Sequence, residues 1–391
     1  MSDKTLFLSV LILYTISIVM VYSLSVYTVY YYGYSDTHFL IRQAIAVFIS
    51  IFIIYQLSKL DPDIWFVRIG FFIFFISFIA MILMPFLPSS MVKEIMGAKR
   101  WIKIGPISIA PVEFFKVGFV FFTAWSFNRR LIHKGKLSFM DELKVIMPYL
   151  FTFLVLVFLI AIFQKDLGQI VVLAIMLFIM FVIAGRSIKL LLAFLGAGIV
   201  TFIILIETAP HRIKRIKEWW GVAQDKFLAF FPDAIGNKLR IENPLEPYQV
   251  SNSLNAIYNG NWSGQGLGNG WFKYGYLSEV HTDFILAGIA EELGFIFVIF
   301  ISFVMLVILF RLLRIASRLN SPVYYLFTVG ISLLIIFAFL INSYGISGIT
   351  PVKGIAVPFL SYGGSQIVAG AIAIGMVLMV SKRVEERKID G

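Results

Sequence analysis

The sequence predicts an all-α polytopic membrane protein with about ten transmembrane helices and a long extracytoplasmic loop between the seventh and eighth. Three observations lead to that reading. Of the 391 residues, 60% are hydrophobic and only 14% charged, against about a quarter charged in soluble domains. So few charges cannot cover a water-soluble fold of this size, and apolar surface must face lipid. Apolar runs of about the 20 residues needed to cross a bilayer recur along the chain. Between two of them lies one polar segment, 208–282, too long for a simple connector between packed spans.

The runs fall near 5–27, 40–57, 64–86, 108–127, 145–163, 167–184, 189–207, 284–310, 324–344 and 365–381. The first stays apolar well past Tyr22, longer than a signal-peptide core, and reads as a retained span. Only Gln164, Lys165 and Asp166 separate the fifth from the sixth, which predicts a tight hairpin. No composition shift marks a second domain, so 1–391 reads as one transmembrane domain.

Orientation follows from the cations of the short loops. With the N-terminus inside, the cytoplasmic set is Lys59; Arg129, Arg130, Lys134 and Lys136; Arg186 and Lys189; Arg311, Arg314 and Arg318; and the tail's Lys382, Arg383, Arg387 and Lys388. This bias places both termini in the cytoplasm. It also accounts for the net charge of +11 without a nucleic-acid partner, because the cations are spread between apolar segments. Lys93, Lys99, Arg100 and Lys103 stand on the other face, against the rule, and point to an anionic partner. Cysteine is absent, which excludes thiolate metal sites, disulfides and cysteine nucleophiles.

The long loop opens with His211-Arg212-Ile213-Lys214-Arg215-Ile216-Lys217-Glu218-Trp219-Trp220, a basic stretch suited to an amphipathic helix at the headgroup level. It continues past Pro232, Pro244 and Pro247 to a glycine-rich turn region between Gly260 and Gly270.

Ionisable residues at membrane depth are expensive, so each is a candidate site. Glu113 and Lys116, three apart on the fourth span, share one helix face. Both a structural pair and a ligand contact are open to them, and Pro111 is an ordinary first-turn proline. Asp166 at the hairpin tip fits an acid facing the following helix dipole. Thr282 is a natural N-cap for the eighth span and Asp283 a favourable first-turn acid. A carboxylate at that position could equally act as a general base on an arriving hydroxyl. Glu291 and Glu292 lie about 12 Å further along the same helix and require partners, expected from another span. Lys353 stands in Thr350-Pro351-Val352-Lys353-Gly354, followed by Pro358 and Ser361-Tyr362-Gly363-Gly364-Ser365. Such irregular backbone at membrane depth must be buried or line a cavity; the lysine then either meets a phosphate or snorkels. Neither metal-ligand spacing nor a nucleotide loop is present.

Several of these segments together resemble the SEDS family of shape, elongation, division and sporulation proteins. They are Gly97-Ala98-Lys99-Arg100-Trp101-Ile102 with Gly105, Pro111-Val112-Glu113-Phe114-Phe115-Lys116, Gln164-Lys165-Asp166-Leu167-Gly168, and Tyr276-Leu277-Ser278-Glu279-Val280-His281-Thr282-Asp283-Phe284 running to Glu291-Glu292-Leu293-Gly294. The last is Lys353-Gly354 with Pro358-Phe359-Leu360-Ser361-Tyr362-Gly363-Gly364-Ser365. The resemblance covers about Arg42 to Arg383. The Pro210-His211-Arg212-Ile213-Lys214-Arg215-Ile216 stretch, the Leu267-Gly268-Asn269 turn and the Thr350–Gly354 stretch are more similar to the division-type members than to the elongation-type ones.

The resemblance implies ten spans and a peptidoglycan glycosyltransferase that polymerises lipid II at the outer face of the bacterial cytoplasmic (inner) membrane, at the division septum. It implies Asp283 as catalytic base. Arg100, Trp101, Glu113, Lys116, Asp166, Arg212 and Lys353 would then bind lipid II or the pyrophosphate of undecaprenyl-linked glycan. A divalent cation, Mg²⁺ or Mn²⁺, is compatible with that leaving group, although no metal ligand is assigned. A class B penicillin-binding protein, an FtsI-like transpeptidase, is the implied partner, along with other divisome membrane proteins and membrane lipid. The sequence departs from the family pattern at Ala110, Val112, Lys165, Asn252 and Ser278 and in a longer stretch over 221–246. A lipid II flippase, an elongation-type polymerase and a structural scaffold are the rival readings.

Overall fold

The structure, a computed structural model, describes residues 3–92, 94, 98–105, 107–132, 138–207, 210–229, 231–232, 236, 240–241 and 248–384. Lys93, Gly97, Lys134, Lys136, Pro244, Pro247, Arg387 and Lys388 lie outside the described residues, as does much of the lengthened stretch over 221–246.

Each of the ten apolar runs lies wholly or mostly on helix. They form α1 (Lys4–Leu24), α3 (His38–Lys59), α4 (Pro62–Leu83), α5 (Pro111–Phe127), α6 (Phe139–Leu156, continued by a π-helical turn Val157–Phe163), α7 (Leu167–Ile183), α8 (Ile188–Glu207), α11 (Ile285–Ala316), α12 (Pro322–Ile346) and α13 (Gly364–Val380). Helix α2 (Val26–Tyr32) follows α1, while α9 (Pro210–Leu228) and α10 (Tyr248–Gly260) belong to the long loop. Among the described residues seven helices are long and apolar enough to cross a membrane, or eight if α8 and α9, bent by 99°, form one broken span. Helices α5 and α7, at 17 residues each, are shorter than the roughly 20 residues of an ordinary crossing. The chain is a multi-pass membrane protein; its helices do not by themselves establish ten crossings.

One element was not foreseen. A two-stranded antiparallel ribbon, β1 (Ile102–Ile104) with β2 (Ile107–Ile109), precedes the fourth helix, and the first two residues of the fourth apolar run belong to its second strand. Alternating β-branched residues around Gly105, whose φ is +59°, favour a strand turn over a helical start. The helix waits for Pro111, which takes the first-turn position expected of it.

Helix packing relies on close approach. Helix α5 lies on α4, where a Cβ at Gly118 would stand 2.6 Å from Phe74 Cα. Helix α3 packs on α13, and α11 packs between α1 and α12.

At the head of α11 the long loop is built into the helix. Gly294, with φ 83° and ψ 169°, breaks the helical path. The loop fills the break: Gln265 N and Gly266 N donate to the carbonyls of Glu291 and Glu292, both at 2.9 Å, and Phe295 N donates to Asn261 O at 2.9 Å. The two glutamates hold the same loop through their side chains. Glu291 accepts from Asn259 Nδ2 at 2.8 Å and Trp271 N at 2.7 Å. Glu292 accepts from Lys273 Nζ at 2.7 Å, Gly268 N at 3.1 Å and, from α1, Ser23 Oγ at 2.5 Å. The expectation that the partners come from another span holds for Ser23 of α1 and is corrected for the cation, which pairs with Glu292 alone. The cation is Lys273 of the loop, brought back because residues 264–273 fold over the helix that follows them.

Lys273 and Glu292 are almost completely buried, where an ion pair broken on one side leaves an uncompensated charge. Lys273→Met is expected to destabilise the protein by about 3–5 kcal/mol, read as a lowered unfolding midpoint in detergent. Lys273→Met combined with Glu292→Gln should recover part of that loss.

Candidate active site

The segment preceding α11 is not a capped helix start. The helix begins at Ile285 with Phe284 in the cap position and no side-chain cap bond. The expectation of Thr282 as N-cap fails because Glu279 takes a positive φ of 53°, and the Thr282 hydroxyl donates to Glu279 O at 2.7 Å within that turn. Asp283 consequently stands before the helix, at the lip of the bundle.

Its position is fixed through backbone contacts. Asn342 of α12 donates from Nδ2 to Asp283 O at 2.7 Å and to Ile355 O at 2.6 Å, tying the acid to the irregular segment after α12. Ser361 Oγ donates to Thr282 O at 2.6 Å while accepting from Val357 N, and Tyr362 N donates to His281 O at 2.9 Å. The Pro358–Ser365 motif thus clamps the residues just ahead of Asp283. The carboxylate lies against Gly354, where a Cβ would meet Asp283 Oδ2 at 3.1 Å and where φ is +64°. Among the described residues no hydrogen bond or ion pair reaches this carboxylate. Burial pushes Asp283 up to about 6, helped by the charges of Asp166 and Glu279 and opposed by those of Arg100 and Arg215.

The hairpin between α6 and α7 supplies the second acid. Lys165 adopts φ 52°, which a proline ring, fixed near −65°, cannot reach. Asp166 is the N-cap of α7, accepting from Gln169 N at 3.4 Å, and burial raises it despite Arg100. Arg100 donates to Gln164 O at 2.9 Å and Lys165 O at 2.8 Å, and lies 3.8 Å from Asp166. Part of the cationic cluster that breaks the orientation rule is thus engaged in holding the hairpin. Gly168 completes the junction, since a Cβ there would stand 3.0 Å from Lys353 O.

Deeper in the bundle, Lys116 pairs with Glu113 at 2.8 Å, as the spacing predicts. Gln169 joins them, accepting from Lys116 Nζ at 2.9 Å and donating to Glu113 Oε1 at 3.2 Å. One polar chain therefore runs from Arg100 through Asp166 and Gln169 to the Glu113–Lys116 pair. On the other side stand the cations of α9 and Lys353. Burial lowers Lys353, as do the nearby charges of Arg215 and Arg212. Arg212 is held by two carbonyls, Leu205 O at 2.5 Å and Ala161 O at 2.6 Å. Helix α9 does not simply rest among headgroups: Trp219 Nε1 donates to Gly348 O at 2.9 Å, docking it on the end of α12. Trp101, at the start of the ribbon, is 37% exposed.

His281 is buried, with Nδ1 lacking a partner among the described residues. Burial holds it at about 4, so the neutral ring's 3.7 Å approach to Glu279 is no ion pair at pH 7. It packs instead on Phe39 and Tyr362.

Sequence reasoning missed Arg215, Gln169, Asn342 and Ser361. Asn342 was legible as a lone amide near the end of an apolar run; Arg215 was hidden in a basic stretch with many equivalents. Among the described residues no three His, Asp or Glu side chains gather as metal ligands. Asp166 and Asp283 alone are a poor donor set for a protein-held divalent cation, and no chemical step is assigned to one.

The fold and site define a polytopic membrane protein with a buried acid at the bundle lip that has no bond among the described residues and is faced by cations. The chain belongs to the FtsW, RodA and SpoVE family, described as cell cycle protein, whose model it matches over residues 3–386. It is 46% identical over 379 residues to a probable peptidoglycan glycosyltransferase FtsW of Helicobacter pylori, covering 96% of this chain and 95% of that one. Its fold is similar to that of the Thermus thermophilus rod shape determining protein RodA, with a TM-score of 0.64 at 22% identity, covering 97% and 96% of the two chains. It is also similar to a chain of a peptidoglycan synthase complex solved for the coordination of polymerization and crosslinking, with a TM-score of 0.71 at 22% identity and 98% of each chain covered.

Gly354→Ala would place a methyl group against the Asp283 carboxylate and strain the backbone. Displacements of about 1 Å at a reacting group can cost on the order of 10²-fold in rate. The variant is expected to fold with a near-normal unfolding midpoint and to lose about that much activity in a single-turnover assay.

Proposed function

We propose that this protein is a peptidoglycan glycosyltransferase that polymerises lipid II into glycan strands at the outer face of the cytoplasmic membrane, in septal synthesis. The observation that carries this reading is Asp283. It is a carboxylate without hydrogen bonds among the described residues, raised by burial, beside Gly354 and within the field of Arg100 and Arg215.

Asp283, as carboxylate, takes the proton of the GlcNAc 4-hydroxyl of incoming lipid II. That oxygen forms a bond to C1 of the MurNAc at the reducing end of the lipid-linked strand. The bond from C1 to the pyrophosphate oxygen breaks, and undecaprenyl pyrophosphate leaves with the electron pair, inverting C1. Charge grows on the leaving phosphate, where nearby cations stabilise it; Arg100, Arg212 and Lys353 fill that role, with Arg215 beside them. Glu113, Lys116 and Asp166 shape the cleft from behind, and Trp101 offers an exposed ring for the substrate. Both substrates are lipid-anchored, which is why the acid sits at the membrane surface. A class B penicillin-binding protein takes the strands for crosslinking. Both termini face the cytoplasm, as the distribution of short-loop cations supports.

The carrier reading is less well supported. The intramembrane acids that a translocation path would use are bonded within the chain, Glu113 to Lys116, Glu291 to backbone amides and Glu292 to Lys273.

Asp283→Asn is expected to keep lipid II binding while lowering polymerisation by about 10²–10⁴-fold, measured with purified protein and its transpeptidase partner. Wild-type rates would overturn the base assignment. The base works only unprotonated, so activity should fall as pH drops through about 6. Arg215 favours the charged form of Asp283, so Arg215→Gln should move that acid limb to higher pH. An unchanged limb would mean that another group governs it.

A further inference from the structure

A cavity lies at the far end of α5. Helix α5 starts at Pro111, beside the Asp166 hairpin, and its 17 residues rise about 25 Å at 1.5 Å each. Its last turn is therefore at the opposite membrane face from Asp283. There the helix passes into a π-helical turn, Asn128–Ile132, which carries Arg129 and Arg130. Helix α6 meets it with Pro148 inside the helix. Between them is a cavity of about 240 Å³, walled by Phe122, Trp125, Pro148 and Thr152, with both arginines at its edge. Tyr149 and Ser126, hydrogen bonded to each other at 2.7 Å, also line it.

The arginines are exposed, and the Arg129 guanidinium lies 4.3 Å from the Trp125 ring centre. Neither has an ion-pair partner among the described residues. The nearby acids are engaged elsewhere: Asp141 with Ser138 and Lys144, and Glu142 with Ser187 N. Two unpaired cations beside an aromatic-walled cavity call for an anion with an apolar body. The cavity is too small for a whole lipid but takes a headgroup phosphate. Beyond it, α6 and its continuation expose Met147, Phe151, Leu154 and Phe158, an apolar flank for acyl chains. Basic pockets between membrane helices recognise anionic headgroups in this way.

We propose that this cavity binds the phosphate headgroup of an anionic phospholipid in the leaflet opposite Asp283. The test is native mass spectrometry of the full chain released from detergent, after equilibration with phosphatidylglycerol or phosphatidylcholine. Wild type is expected to retain phosphatidylglycerol selectively, and Arg129→Gln/Arg130→Gln to retain it about tenfold less. Thr152→Trp fills the cavity with both arginines in place and should lose retention as well. That variant decides the matter if the double arginine variant fails to match the wild-type unfolding midpoint. Millimolar inorganic phosphate should not displace the lipid. Equal retention by wild type and a folded variant, no preference over phosphatidylcholine, or displacement by free phosphate would each overturn the proposal.

Discussion

The structure depends on one constraint: a carboxylate removed from water at the edge of a bilayer must find donors or give up its charge. Glu291 and Glu292 meet it by gathering amides and Lys273 from the loop that precedes their helix. This places the loop. Residues 264–273 place one apolar side chain, Phe272, against the core, while Leu267 and Trp271 stay exposed. The segment is held because two acids need it and because the break at Gly294 leaves backbone groups that the loop completes. The Glu113–Lys116–Gln169 cluster obeys the same rule inside the bundle.

Asp283 breaks the rule, and that separates it from Asp166, Glu291 and Glu292, which are bonded, and from Glu279, whose carboxylate is exposed. Its backbone is anchored by Asn342 and its neighbours by Ser361 and Tyr362, yet its carboxylate is left without donors among the described residues. The surroundings answer with charge at a distance, through Arg100 and Arg215, and not with contact. A carboxylate arranged so retains its basicity, where two or three direct hydrogen bonds would have removed it. Glu292, a few residues further on, shows that the chain could have supplied such bonds.

The architecture was largely legible in the sequence because hydropathy reports helices directly, and all ten apolar runs lie wholly or mostly on them. The site was legible in part. The Glu113–Lys116 pair follows from helical spacing alone, and the motifs pointed to Asp283. What spacing could not show was contact across long separations. Lys273 reaches Glu292 only because a loop folds back, and Asn342 reaches Asp283 from another helix. Local rules misled where tertiary bonds competed with them. Thr282 has the chemistry of an N-cap but is drawn into the Glu279 turn, and residues 108–109 open an apolar run yet pair as a strand.

The break at Gly294 divides α11 into two mechanical parts. The outer part, residues 285–293, is bonded to the loop through both backbone and carboxylates, and Asp283 stands at its head. The inner part is a lipid-embedded helix, and its first residues are tied to the same loop, Phe295 N to Asn261 O and Ile296 N to Trp262 O. The loop therefore splints the break from both sides and joins the lipid-embedded helix to the segment that carries Asp283 at its head.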